Sequence, residues 1–318
     1  MVAKSLSHCR SYSAWRQLCV TVLTVFCLLS TTAQAGTIVR VSTSVGDYSI
    51  ELLDDTAPIT VNNFLNYVNR NAYNGTYLHR VVADFVVQGG GYRFEPFVGP
   101  VDVPEDPPIT NEFNTSNTRG TVAMAKIEGD PNSATSQWFV NLIDNTSLDT
   151  TNGGFTVFGN VLGEGMITVD AIAALPTVNL GGKASNAPFF TDLYSSPLDF
   201  VYINAEVVNR FSSAPHVLET ATGLMITSVN IDNGEDVISL NLNSVETSPN
   251  IVMQANLESV IPRIADLDGI ASYSTTDQRL RIPSLEVNDR GNIFVVTNVV
   301  FALTNSNPVQ FTLESYDQ

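Results

Sequence analysis

Few residues in this chain can do chemistry, and their positions narrow the options. All three cysteines, Cys9, Cys19 and Cys27, fall in the first 27 residues. Beyond residue 35 there are two histidines, His79 and His216. Zinc is held by His and Cys ligands in sets, so beyond residue 35 such a site is nearly excluded, and a cysteine nucleophile there is ruled out. A Ser-His-Asp triad would have to draw on one of those two histidines, and no G-x-S-x-G elbow is present. Gly159, Gly163 and Gly165 are spaced like a phosphate loop but lack its G-K-[ST], so they read as turn and helix-entry glycines. Asp232-Asn233-Gly234-Glu235-Asp236 and Asp266-Leu267-Asp268-Gly269 offer oxygen ligands for calcium but not the EF-hand spacing, and read as turns.

Four ordered blocks remain. The first is Tyr77-Leu78-His79-Arg80-Val81-Val82-Ala83-Asp84-Phe85-Val86-Val87-Gln88-Gly89-Gly90. Its Arg80, Phe85 and Gln88 are spaced so that a strand, a turn and a second strand bring them together. The second is Asn117-Thr118-Arg119-Gly120-Thr121-Val122-Ala123-Met124-Ala125. The third runs Asp130-Pro131-Asn132-Ser133-Ala134-Thr135-Ser136-Gln137-Trp138-Phe139-Val140-Asn141. The fourth is Ser147-Leu148-Asp149, leading to Gly154-Phe155-Thr156-Val157-Phe158-Gly159.

The elements that must position these blocks follow from periodicity. Alternation over 37–41 and 48–52, around Val45-Gly46-Asp47, predicts a hairpin. Pro58 opens a helix to about residue 70, with Val61, Phe64, Leu65 and Val68 on one face. Residues 76–88 return to strand character, and a Pro-rich loop is expected over 94–108. Further strands are predicted at 120–125, 137–142 and 155–161. A second helix is predicted at 166–175, with Ile167, Ala171 and Leu175 at helical spacing and Pro176 ending it. The last strand of this region is predicted at 198–208. From residue 210 onward the periodicity is almost purely of period two, with no Lys and no Trp. That predicts a small all-β unit, a sandwich or a barrel.

The first 35 residues read as a leader. Lys4, Arg10 and Arg16 precede an apolar run over 18–29, and Ala33-Gln34-Ala35 supplies an A-x-A cleavage site. The run is shorter than the roughly 20 residues a membrane span needs. Cleavage is therefore expected after Ala35, and the mature protein is expected to be periplasmic or secreted, without a membrane span. It would hold no disulfide and fold by burial alone. At roughly 100–200 residues per domain, 318 residues predict two: 36–208 and 209–318, after a signal peptide at 1–35. With 32 acidic against 15 basic residues, net charge −17, nucleic acid is not an expected partner. A hydrophobic fraction of 44% with 15% charged residues argues against disorder.

Taken together, the four blocks over roughly 37–208 resemble the cyclophilin family of peptidyl-prolyl cis-trans isomerases, most closely its bacterial periplasmic branch. The resemblance implies a mainly β fold: a closed eight-stranded antiparallel barrel capped by two helices, here followed by the small all-β domain. It implies an isomerase (rotamase) that assists protein folding by turning X-Pro bonds in proline-containing polypeptide clients, with no cofactor and no metal. The matching positions are Arg80 as donor to the prolyl nitrogen, with Phe85, Phe139 and Leu148 as pocket walls. Val86 stands where the family often has Met. Gln88 orients the substrate backbone and supports Arg80, Ala125 and Lys126 line the groove for residues before proline, and Gln137 supports the floor. Phe155 and Ser147 stand where eukaryotic members often have His and Trp. The missing indole is expected to weaken cyclosporin binding. Trp138 replaces the usual Phe, and His79 is expected to be structural. Other classes stay open on the sequence: a non-catalytic proline-peptide clamp or chaperone, or an envelope-binding β module with the barrel as accessory. The tail is expected to position the enzyme or recruit clients. The oligomeric state is not legible.

Overall fold

The hairpin around Val45-Gly46-Asp47 forms β1 (Ile38–Thr43) and β2 (Asp47–Leu52) in antiparallel register, Ser42 facing Asp47. The computed structural model describes residues 36–179, 181–191, 196–234, 236–264 and 269–318. The leader 1–35 with its cleavage site lies outside the described residues, as do Glu235, Asp266, Leu267 and Asp268 of the two Asp-rich turns.

After β2 come α1 (Pro58–Asn69), β3 (Thr76–Tyr77), β4 (Arg80–Val82), β5 (Val86–Gly89), β6 (Tyr92–Glu95) and β7 (Gly99–Asp102). Then follow β8 (Thr121–Met124), β9 (Trp138–Asn141), β10 (Val157–Val161) and α2 (Gly165–Ala173). A short pair, β11 (Thr177–Val178) and β12 (Ala187–Pro188), precedes β13 (Tyr202–Val208). The large sheet runs β4-β5-β9-β8-β10-β2-β1-β13-β3-β6-β7. The ladder is open between β4 and β3, but only Leu78 and His79 separate them in the chain. Leu78 N donates to Val201 O at 3.0 Å and His79 N to Gln88 O at 3.2 Å. One bent segment, 76–82, therefore links β13 to β5, and in place of the closed eight-stranded barrel expected from the sequence the ladder curves as a half-barrel.

The core of this region is aromatic. Helix α1 turns Val61, Phe64, Tyr67 and Val68 inward, with Leu65 half-buried. Phe64 meets the fully buried Trp138 edge-on at 6.1 Å between ring centroids. No local side chain caps α1. Instead Ile59 N and Thr60 N donate to the two carboxylate oxygens of Glu112, at 3.1 and 2.7 Å, which satisfies free amides at the positive helix end.

Two local expectations are corrected, and the buried face of the second helix is settled. Residues 94–108 are not loop throughout, because β6 and β7 form a hairpin whose turn places Phe97 and Gly99 at φ 68° and 95°. The strand expected over 198–208 begins only at Tyr202. Pro197 opens a single 3-10 turn, closed by reciprocal bonds between Ser196 and Asp199. On α2 the buried residues are Val169 and Ile172, while Ile167 is 66% exposed and Ala171 is exposed. The helix is apolar on most sides, so spacing alone leaves its face ambiguous. Gly165 decides it: a Cβ there would stand 2.8 Å from Val161 Cγ1 and 2.9 Å from Tyr48 Cβ, so the helix lies hard against β2 and β10.

The remaining strands are β14 (Val217–Glu219), β15 (Leu224–Ile231), β16 (Val237–Glu246), β17 (Val252–Arg263), β18 (Ala271–Ser274), β19 (Arg279–Asp289), β20 (Asn292–Ser306) and β21 (Val309–Asp317). They run β14-β15-β16-β17-β21-β20-β19-β18, and both β14 and β18 also bridge β15 and β19. The result is a closed barrel of seven positions, its seam filled by β14 at one end and β18 at the other. This settles barrel over sandwich. Its core is mostly aliphatic, with Met225, Leu242, Met253, Leu280, Ile282 and Val299 all at most 1% exposed.

The two sheets meet through polar contacts. Arg40 Nη2 pairs with Asp47 Oδ2 at 2.5 Å and also donates to Ala214 O at 2.9 Å. Arg263, at the end of β17, pairs with Asp47 Oδ1 and donates to Thr43 O at 2.6 Å. Asn241 Nδ2 donates to Glu206 Oε1 at 2.8 Å. Burial pushes the Asp47 carboxyl pKa up, but the attraction of Arg263 and Arg40 and their hydrogen bonds outweigh it and hold the group down at about 2.

Candidate active site

The β4–β5 hairpin does what the spacing of the first block requires. Its register sets Arg80 opposite Gln88 and Val82 opposite Val86, so the cation and the amide sit side by side. Asp84 takes φ 54° in the turn, and Phe85 leaves it toward the interior. Its carbonyl accepts from Leu142 N at 2.9 Å and from Asn145 Nδ2 at 2.9 Å, which fixes where the ring stands. Strand β5 then pairs with β9, placing Gln88 opposite Phe139.

Nine of the ten residues singled out in the sequence line one pocket of about 190 Å³: Arg80, Phe85, Val86, Gln88, Ala125, Lys126, Phe139, Leu148 and Phe155. The tenth, Gln137, lines an adjoining pocket of about 230 Å³ that shares Gln88, Ala125 and Lys126. Both are smaller than the ~300 Å³ at which drug-sized sites begin, so each suits a single residue of a chain. The apolar floor is a cluster of its own, with Val86, Ala123, Phe139, Leu148 and Val157 buried and Phe85, Ala125 and Phe155 packed against them. The Phe139 and Phe155 rings meet at 68°, 5.9 Å between centroids.

The polar rim is a relay of donors. Gln88 Nε2 donates to Gln137 Oε1 at 2.9 Å, and Gln88 Oε1 accepts from Arg80 Nη1 at 3.3 Å. The Arg80 guanidinium lies 5.9 Å from the Phe85 ring centroid. Among the described residues, no carboxylate pairs with Arg80. Other arginines are paired, as in Arg70–Asp106 and Arg119–Asp170, both at 2.7 Å. Burial lowers the Arg80 pKa, but from so high a starting value that the charge remains. Lys126 Nζ donates to Asn152 O and Gly154 O at 2.8 and 2.6 Å and stands 4.8 Å over the Phe155 ring. It therefore pins the turn carrying Phe155 as well as lining the pocket. His79 is buried beside the site, edge-on to Tyr92 at 4.8 Å. Burial, and then the charge of Arg80, push its pKa down to about 4, so it is neutral at pH 7.

Asn117, Asn141, Asn145 and Asp149 carry no role that the sequence alone predicts. They form a buried network under the pocket. Asn141 Nδ2 donates to Thr121 Oγ1 at 2.8 Å, and Asn145 Nδ2 to Asn141 Oδ1 at 2.8 Å. Asn117 Nδ2 donates to Phe155 O at 3.0 Å and to Asp149 Oδ1 at 3.1 Å. These bonds hold the segments bearing Phe85, Leu148 and Phe155. The available signal was the run of amides itself, because Asn in a strand core must find partners. The adjoining pocket adds Glu105, Ser133 and Thr135, none of them anticipated; Thr135 Oγ1 donates to Glu105 Oε1 at 2.9 Å.

The family model described as Cyclophilin type peptidyl-prolyl cis-trans isomerase/CLD matches residues 38–189. A peptidyl-prolyl cis-trans isomerase of Acinetobacter baylyi is 44% identical over 158 residues, 48% of this chain and 81% of that one. Peptidyl-prolyl cis-trans isomerase B of Escherichia coli is 43% identical over 146 residues, 44% of this chain and 85% of that one. A solved cyclophilin-type isomerase of Cryptosporidium parvum is 22% identical and covers 55% of this chain and 98% of its own, with a TM-score of 0.42. This chain belongs to the cyclophilin-type peptidyl-prolyl cis-trans isomerases. It is an enzyme of that class, which turns the peptide bond before proline.

Proposed function

We propose that the protein performs this isomerisation on exported polypeptides, in the periplasm or outside the cell, after a leader at 1–35 is cleaved behind Ala35. Residues 36–208 form the isomerase domain and 209–318 a separate β domain. Among the described residues, no helix is long and apolar enough to cross a membrane.

Rotation about an amide must break the double-bond character of C–N, a barrier of ~18–20 kcal/mol. The tertiary X-Pro amide populates both isomers yet exchanges them slowly. A site speeds the exchange by favouring the twisted amide over either planar form. The proline ring seats on Phe85, Val86, Phe139, Leu148 and Phe155. Twisting frees the lone pair of the prolyl nitrogen, and Arg80 donates to it, which opposes the return of resonance. Gln88 steadies Arg80 and the substrate backbone, Gln137 holds Gln88, and Ala125 and Lys126 flank the residues before proline. The observation that carries this assignment is Arg80 itself: a half-buried guanidinium without a carboxylate partner among the described residues, held by an amide at the rim of an apolar pocket.

The test is cis-to-trans exchange of an Ala-Pro peptide by residues 36–318 and by the Arg80→Ala variant. Acceleration by the intact protein, largely lost in the variant, supports the assignment. Acceleration that survives in the variant moves the donor role elsewhere, and none in the intact protein favours a proline-peptide clamp.

A further inference from the structure

Where the two sheets meet lies a pocket of about 290 Å³, larger than the one under Arg80 and sharing none of its residues. The antiparallel register of β1 and β2 sets Arg40 directly opposite Ser49, and both line it. The tail supplies Ser228 of β15 and Arg263 of β17. The segment 211–215 borders the space. A Cβ on Gly163 would stand 2.8 Å from Phe211 Cζ, so that ring lies on the turn before α2. The first turn of α2, which has no side-chain cap, lines the pocket through Gly165, Ile167 and Thr168.

The pocket holds more donors than acceptors. Arg40, Ser49, Ser228 and Arg263 are each at most 5% exposed. Asp47 accepts from Arg40 Nε and Nη2 and from Arg263 Nη2. Arg40 Nη2 also reaches Ala214 O, and Arg263 Nη1 reaches Thr43 O. Arg40 Nη1, Arg263 Nε and the hydroxyls of Ser49 and Ser228 are left without a partner among the described residues. Buried donors nearly always find an acceptor, and one that goes without costs stability. Four of them around one pocket call for an acceptor that enters from outside.

Charge selects its kind. The guanidiniums of Arg40 and Arg263 outnumber the Asp47 carboxylate by one, and the uncapped helix end adds to the positive side. Neighbouring charges are engaged: Arg210 pairs with Glu286, Asp170 with Arg119, and Glu206, opposite Arg40 on β13, accepts from Asn74 and Asn241. Burial keeps His216, next to Pro215, neutral at pH 7. Glu164 stands exposed at the entrance. The chain's net charge of −17 opposes any anion at long range, but salt screens that over about 8 Å. One excess positive charge behind an acidic entrance suits a monoanion and disfavours a dianion. Tyr48, Ile167, Phe211 and Pro215 make the rest of the lining apolar.

We propose that this pocket binds a monocarboxylate with a short apolar body, the carboxylate accepting from Arg40, Ser49 and Ser228 and the body lying against Ile167, Phe211 and Pro215. The site does not depend on the isomerase reading.

The probe is phenylacetate, titrated into isotope-labelled residues 36–318 while backbone amide shifts are followed. Saturable shifts are expected at 165–168 and 228. Phenylacetamide is expected to bind at least about tenfold more weakly, and inorganic phosphate, largely dianionic, more weakly too. Ser228→Ala is expected to weaken phenylacetate about tenfold, the scale of one hydrogen bond to a charged group. Ile167→Glu puts a like charge at an exposed position, so it is expected to weaken binding several-fold without disturbing the core. Glu164→Gln is expected to tighten it about twofold. Acceleration of an Ala-Pro peptide is expected to be unchanged in all three variants. The peptide Gly-Ser-Gly-Ser-Phe, as free acid and as C-terminal amide, separates the sources. Competition by the free acid alone places the carboxylate at the end of a polypeptide, and no competition places it on a small molecule. Absence of saturable shifts, equal binding of either amide or of phosphate, or binding unmoved by both Ser228→Ala and Ile167→Glu overturns the proposal. The Ala-Pro assay on the same preparation fails or succeeds separately, so the two readings are told apart.

Discussion

The two large sheets of this protein use the same device, a curled, mainly antiparallel ladder with a pocket, and differ in what borders the pocket. Under Arg80 the rim carries a guanidinium, two side-chain amides and an ammonium group within hydrogen-bond reach of one another or of backbone carbonyls. The tail pocket has apolar walls, with Thr220 and Asp289 at its rim. The first offers hydrogen-bond donors to a bound amide, and the second offers apolar contact. The supports differ in the same way. An asparagine network fixes the segments that carry the first site, while strands alone build the second. Chemistry needs donors held in place, and holding them needs more than a ladder.

The largest expected effect tests whether the two regions are one cooperative body. Asp47→Ala leaves the guanidiniums of Arg40 and Arg263 buried without their shared carboxylate, at a cost of about 3–5 kcal/mol. Urea unfolding is expected to shift strongly and to split into two transitions. A single transition with an unchanged midpoint would show that the ion triad does not couple the sheets.

Next comes the donor. Arg80→Ala is expected to lower kcat/KM on an Ala-Pro peptide by about 10²–10³, the scale of one lost transition-state donor, with the urea midpoint little changed. A comparable loss of stability would instead make Arg80 a structural residue.

Acid should weaken both regions through their histidines. Burial, foremost, depresses the pKa of His79 and of His216 from 6.5 to about 4. His216 Nδ1 meets Thr227 Oγ1 at 2.8 Å and its Nε2 meets Gly269 O at 2.9 Å. Both folded-state values lie below the unfolded one, so the unfolded chain takes up protons first. Stability is therefore fully present above pH 6.5 and is lost down to about pH 4, on the order of 3 kcal/mol per histidine. The Asp47 contribution is lost only below that, between about pH 4 and 2. Unfolding of His216→Asn at pH 7 and pH 4.5 should show a smaller acid loss than the intact chain. Isomerisation, in contrast, should stay flat from pH 6 to 8.5, because Arg80 remains charged and His79 neutral throughout; a bell-shaped profile would argue for proton transfer. The smallest expected effect is that of Gln137→Ala. It removes the acceptor that orients Gln88, and about a tenfold loss in kcat/KM is expected, close to the net worth of a single hydrogen bond.

The first site was legible because its residues lie on a few short strands whose mutual order the motifs preserve. Arg80 and Gln88 face each other across a three-residue turn, a relation that local spacing encodes. The supporting network was not legible in the same way. Asn117, Asn141 and Asn145 are ordinary polar residues until burial compels each amide to find a partner. Periodicity leaves the inward face of α2 open because apolar residues surround that helix, and a glycine contact with β2 and β10 chose between the faces.

Taken alone, the sequence determined the chemical inventory and its local order: the absence of cysteine beyond residue 35, the block carrying Arg80, Phe85 and Gln88, and the period-two alternation of the tail. Those properties depend on neighbours within one strand or one turn. Only the tertiary structure decided that the tail closes as a barrel and that Asp47 is shared by Arg40 and by an arginine 216 positions away. Closure and a shared buried charge both depend on which distant segments pack together, and that is set by the whole set of buried contacts rather than by any local run of residues.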